Sequence, residues 1–141
     1  MEIRGKLSVD NNLQVSGSAN IDGTLFASAK SFQIPHPMKS GKKLVYGAME
    51  GPEYAVFIRG ELKGNDIIEL PDYWKFLVDE KTITITLSPV GKFQYLYVDK
   101  IEDYKINVKQ SAMTKLLTKE IHCHYMIFGE RKDIPKLKIE Q

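Results

Sequence analysis

The sequence predicts an all-β protein in two parts: a short N-terminal hexad-repeat trimeric β-stalk, then a β-sandwich or barrel-like globular knob. Three observations carry this prediction. Residues 5–27 repeat with a period of six, residues 82–87 alternate polar and apolar without a fault, and Gly, Pro and Asn turns punctuate the remainder.

The repeat comes first. Leu7 and Val9 are followed by Leu13 and Val15, by Ala19 and Ile21, and by Leu25 and Ala27, and Met1 and Ile3 continue the series backwards. Gly5, Asn11, Gly17 and Gly23 recur at the same interval. Residues two apart share one face of a strand, whereas a helix would place apolar residues at i, i+3 and i+4. Glycine, and less readily asparagine, adopts φ > 0 at little steric cost. Each hexad therefore reads as a very short strand and a tight turn. A single-chain triangular solenoid uses about three hexads per coil, so residues 1–27 complete only about one and a half coils. A continuous core normally needs at least three repeats. Three identical chains around a common axis supply the missing cover at every level. The expected trimer-axis core is Leu7, Val9, Leu13, Val15, Ile21 and Leu25, with turns at Gly5, Asn11, Gly17 and Gly23. The stalk is assigned residues 1–29 and the globular domain residues 30–141.

Beyond Ser31 the pattern becomes that of a globular β domain. In "TITITL" (82–87), Thr82, Thr84 and Thr86 share one face and Ile83, Ile85 and Leu87 the other. "EYAVFIRGEL" (53–62), "FQYLYV" (93–98), "YKINV" (104–108) and "EIHCHYMIF" (120–128) read as further strands. Turn residues bound them at Gly51-Pro52, Gly64-Asn65, Pro71-Asp72, Pro89, Gly91 and Gly129. Such spacing favours a sandwich or barrel over βαβ units. In "YAVFI" neither parity is polar, so both faces are expected to be covered, by a second sheet or by a neighbouring subunit. Only "DYWKFLV" (72–78) and "QSAMTKLLT" (110–118) suit helices.

Composition excludes several classes of function. Twenty basic and eighteen acidic residues are interspersed, giving a net charge of +2, and no basic block suggests nucleic-acid binding. No apolar run approaches the roughly 20 residues of a membrane-spanning helix, so membrane insertion is not expected. "MEIRGKLS" lacks the basic and apolar regions of a signal peptide. Cys123 is the only cysteine, which suits folding in a reducing cytoplasm.

Few residues are candidates for chemistry. Glu50, Glu53, Asp72, Asp79 and Glu80 cluster in sequence, and paired carboxylates run glycoside hydrolysis when suitably separated. Acidic residues beside turns also cap backbone N–H groups, and no catalytic residue is expected. His122 and His124 fall on one strand face about 6.6 Å apart. They are weak candidates for a shared metal, because Cys123 points away and the strand offers two ligands. Among the alternating residues Ile121, Cys123, Tyr125 and Ile127, the thiol is expected to pack. No cofactor-binding motif is present.

A resemblance completes the reading. "KSFQIPHP" (30–37), "EGPEYAVFIRGEL" (50–62), "IELPDYW" (68–74), "ITLSPVGKFQYLYV" (85–98) and "RKD" (131–133) occur in this order. The run resembles a globular module of bacteriophage tail-fibre and other virion structural proteins, over about residues 30–135. The resemblance implies a structural homotrimer, assembled in the host cytoplasm and located in the virion, with other virion proteins as partners. In longer relatives such a module follows a β-repeat stalk and can precede a self-cleaving chaperone. None is expected between the module and Gln141. The resemblance supplies no catalytic residue. The expected function is a non-enzymatic short fibre, spike or tail-associated component, with a capsid decoration (head fibre) protein or a host-glycan receptor-binding module as alternatives. The glycan alternative expects exposed Tyr or Trp beside carboxylates in a groove, Trp74 above all.

Overall fold

The computed structural model describes residues 4–27 and 29–140. The chain forms β1 (Ser31–Pro35), β2 (Lys43–Gly47), β3 (Ala55–Lys63), β4 (Ile67–Glu69), α1 (Trp74–Leu77), β5 (Thr84–Pro89), β6 (Leu96–Glu102), β7 (Lys105–Gln110), α2 (Ala112–Leu117) and β8 (His122–Glu130). The protein is predominantly β, in three small sheets ordered β1–β2, β3–β8–β5 and β4–β7–β6. Every pairing among these strands is antiparallel. Both expected helices form, but each lasts only one or two turns.

Residues 4–27 are exposed throughout and belong to none of the three sheets. Their backbone bends at Gly5, Asp10–Asn11, Ser16–Gly17 and Asp22–Gly23, once in each hexad. Gly5 has the expected positive φ, at 121°, whereas Asn11, Gly17 and Gly23 bend without one. Met1 and Ile3, which extend the rhythm, lie outside the described residues.

The core follows from strand alternation. The β3–β8–β5 sheet turns Val56, Leu62, Cys123 and Ile127 inward, and the β4–β7–β6 sheet turns in Ile68, Ile106 and Val108. These join Leu70, Trp74, Leu77, Val78, Ile83 and Ile121 in one buried cluster. At Gly129 a Cβ would collide with Val78 Cγ1, so only glycine lets α1 and the residues after it approach β8 this closely. The "YAVFI" stretch is covered on one side only within the chain. Val56 is buried, but Phe57 on the outer face is 43% exposed and tilts against Phe128, with ring centres 5.7 Å apart.

The β6–β7 hairpin closes through Asp103 and Tyr104, with φ values of 51° and 57°. A two-residue hairpin turn requires this left-handed backbone, which Gly or Asn usually supplies. Tyr104 is held there by its surroundings. Its amide donates to Glu80 Oε1 at 2.6 Å, and its hydroxyl donates to the Val78 carbonyl at 2.8 Å.

Four of the five motifs meet at one end of the molecule, the base, where β8 finishes. Arg131 makes a two-pronged ion pair with Asp133, at 2.9 and 2.7 Å, and lays its guanidinium 4.1 Å from the centre of the Phe32 ring. The Arg131 amide donates to the Tyr54 carbonyl at 2.8 Å. Phe32 stacks on Tyr46, whose hydroxyl bonds that of Tyr73 at 2.9 Å and accepts from Trp74 Nε1 at 3.2 Å. His36 packs edge-on to Tyr73. Burial, and then the Tyr46 hydroxyl, push the Tyr73 phenol well above its ordinary range. Sequence segments nearly a hundred residues apart therefore share one aromatic and ionic cluster, and the proline-flanked "IPHP" sets the path of β1 into it.

Candidate functional site

The acidic residues near the Gly51-Pro52 and Pro71-Asp72 turns have separate partners. Glu50 pairs with Lys30. Asp79 caps the turn at Glu80–Thr82 by accepting from the Lys81 amide at 3.1 Å, and Glu80 holds the Tyr104 amide. Glu53 and Asp72 are exposed beside turns, where their carbonyls accept from Ala55 and Lys75. Local backbone chemistry accounts for the positions of Asp79 and Glu80.

His122 and His124 share the outer face of β8 with Met126 and Phe128. His122 Nε2 lies 2.5 Å from Glu61 Oε1 on β3. That hydrogen bond, against a smaller opposing effect of burial, holds the Glu61 carboxyl below its ordinary value. His124 is exposed, directly opposite Glu61 in the strand register. Among the described residues, no group of three or more His, Cys, Asp or Glu converges as a metal site. Cys123 points the other way and is wholly buried, and burial raises its thiol pKa.

Trp74, the leading residue of a sugar-stacking platform, is 0% exposed and lies in the core. Its ring therefore offers no surface face for a sugar to stack on. The six expected axial side chains stand in the opposite condition. Leu7, Val9, Leu13, Val15, Ile21 and Leu25 are each 46–68% exposed, with no cover from the described chain.

The sequence reading missed one site, at the opposite end of β8 from the base. Here α2 begins with Ser111, whose hydroxyl caps the Thr114 amide at 3.2 Å, and the Thr114 hydroxyl accepts from the Tyr95 amide at 2.9 Å. Thr114 is the one buried residue of α2. Met113, Leu116 and Leu117, spaced i, i+3 and i+4, form an apolar stripe that faces outward. A helix on a globular surface normally buries such a stripe. Beside it, Leu87, Pro89, Lys92, Phe93, Tyr95 and Leu96 line an open groove of about 600 Å³. Phe93 and Tyr95 meet edge to face at 5.7 Å, and both are exposed. Gln94 between them is buried and bonds the Glu120 carbonyl and the His122 amide, which turns its two aromatic neighbours outward. The signal was present in "KFQYL" and "AMTKLL". Apolar periodicity marks a face to be covered but does not say whether this chain or another covers it.

No family model, curated protein or solved structure matches the chain.

Proposed function

We propose that the chain is a non-enzymatic structural component of a bacteriophage virion, a homotrimeric short fibre, spike or tail-associated protein. Residues 4–27 form an axial stalk shared by three copies, and the β3–β8–β5 and β4–β7–β6 sheets form a sandwich-like knob. One observation carries this reading: six large apolar side chains recur in register with a bend in every hexad, and this chain leaves all of them in water. Burying each would contribute about 2 kcal/mol. Two further copies around one axis offer identical apolar pairs at every level. The convergence of four motifs on a half-buried cluster packed against the core at the base supports a role for them in the fold.

Light scattering after size exclusion tests the reading. The full-length chain is expected to have a mass of three protomers, and its stability is expected to rise with protomer concentration. Val15→Asp places three carboxylates near the axis, where buried like charges are strongly disfavoured, and should reduce the mass to one protomer. A trimer unaffected by Val15→Asp overturns the axial stalk. A monomeric wild-type chain overturns the trimer.

A further inference from the structure

The outer face of the β3–β8–β5 sheet sets its polar side chains in a grid. Arg59, Met126 and Thr86 stand side by side across the three strands, and Glu61, His124 and Ser88 form the next row. Neighbouring strands lie about 4.8 Å apart and residues two apart about 7 Å, so the two rows cover about 10 by 7 Å. These six residues, with Gly60 and Tyr125 between them, line a groove of about 610 Å³. That is the size of a small-molecule site, in which a few converging polar groups fix the ligand.

The charges in this groove are not balanced. Glu61 is the one carboxylate that lines it, and His122 Nε2 already holds that group at 2.5 Å. Lys63, two residues on and on the same face, adds a second positive charge beside Arg59. Among the described residues, Arg59 has neither an ion pair nor a side-chain hydrogen bond, and the side chains of Thr86, Ser88 and His124 have no hydrogen-bond partner. Elsewhere in the knob such groups are satisfied in place. Asp133 takes both prongs of Arg131, and on the β4–β7–β6 sheet Lys109, Lys105 and Lys100 pair with Asp99, Glu69 and Glu102. A guanidinium presents its N–H donors in a planar fork that matches a carboxylate.

We propose that this groove binds a hydroxylated carboxylate, of the size of one or two sugar-acid rings. Arg59 takes the carboxylate in a two-pronged pair, Thr86, Ser88 and His124 bond the hydroxyls, and Met126 packs against the apolar side of the ring. The unpaired guanidinium selects an acid over a neutral sugar, and the row of hydroxyls selects a polyol over a bare anion. One copy of the knob is enough, so the site does not rest on the trimeric reading.

A ligand-observed NMR titration of the full-length protein with D-glucuronate tests the site, with D-glucose and inorganic phosphate as separate probes. Saturable binding of glucuronate, about tenfold tighter than of either probe, is the expected result. Arg59→Gln should weaken it about tenfold or more, and Arg59→Lys, which keeps the charge and loses the fork, by less. Lys92→Gln removes a cation outside the groove and should change nothing. Thermal unfolding of the Arg59 variants that coincides with wild type places the loss in the site. No saturable binding of glucuronate below about 10 mM overturns the proposal. Phosphate bound as tightly makes the groove a general anion site, and glucose bound as tightly removes the role of Arg59, so either result overturns it. Equal weakening by Lys92→Gln and Arg59→Gln shows attraction to net charge alone and overturns it too. A solution mass that falls in Arg59→Gln, with glucuronate still bound, assigns the face to contact between copies and again overturns it. The wild-type mass bears only on the trimeric reading.

Discussion

The two ends of the knob treat their aromatic residues in opposite ways. At the base, Phe32 stacks on Tyr46 beneath Arg131, and the polar atoms of Tyr46, Tyr73 and Trp74 bond one another. At the tip, Phe93 and Tyr95 touch each other and otherwise face water, beside a helix whose apolar side is turned outward. Both ends are rich in aromatic residues, so composition does not distinguish them. The difference lies in whether the rest of this chain supplies the partner. The base finds its partners within this chain, whereas the apolar side chains at the tip and in residues 4–27 have no cover among the described residues.

Substitutions should separate the two ends in order of size. Trp74→Ala empties the centre of the base, and a core Trp-to-Ala change costs about 3–5 kcal/mol. Urea denaturation followed by circular dichroism should record that loss or an unfolded chain, and a cost below about 1 kcal/mol would break the comparison. Arg131→Ala removes charge-assisted hydrogen bonds to Asp133 and the cover over Phe32, and should cost about 2 kcal/mol by the same measurement. Leu116→Ser should leave stability within about 0.5 kcal/mol on the Val15→Asp background, which is expected to be monomeric. A loss as large as that at Arg131 would mean that the stripe packs within its own chain.

The smallest effect belongs to the outer face of β8. Glu61 has a folded pKa below its ordinary 4.5, caused first by the hydrogen bond to His122. Its contribution is therefore present above the unfolded pKa and is lost as pH falls through the folded value. Glu61→Gln should remove this contribution, lowering stability near pH 8, and should flatten the decline on the acid side of pH 4.5, so that the two proteins converge at pH 3. A denaturation series from pH 3 to 8 reads this directly, and identical acid limbs would show that the pair is not coupled to folding.

Much of the knob was legible because its strands are long enough to show their period. β5, β7 and β8 follow the alternation of "TITL", "KINV" and "HCHYMIF" closely, and β3 forms where "AVFIRGEL" reads as a strand that starts apolar on both faces. The two faces of β8 also fall as the parity says, with Cys123 and Ile127 inside and His124 and Met126 outside. β4 was not legible, since three residues, Ile67–Glu69, carry no period. β1 and β2 alternate, but the connection through Met38 and Gly41 lacks a short hairpin signature, so their pairing could not be read. The outer face of β3 and the stripe of α2 show the general limit. Apolar residues on a second face announce a cover whose identity is a three-dimensional fact. The carboxylates show the same limit, because nearness in sequence did not reveal that Asp79 and Glu80 accept from different backbone amides.

The position of β8 has a mechanical consequence. It runs its nine residues from the tip to the base, with β3 bonded along one edge and β5 along the other. A pull between the tip and the base is directed along this strand. Antiparallel hydrogen bonds lie across that direction. The load therefore falls on two ladders in shear, many bonds at once, instead of unzipping them singly. Pulled end to end, the three strands therefore resist as one unit.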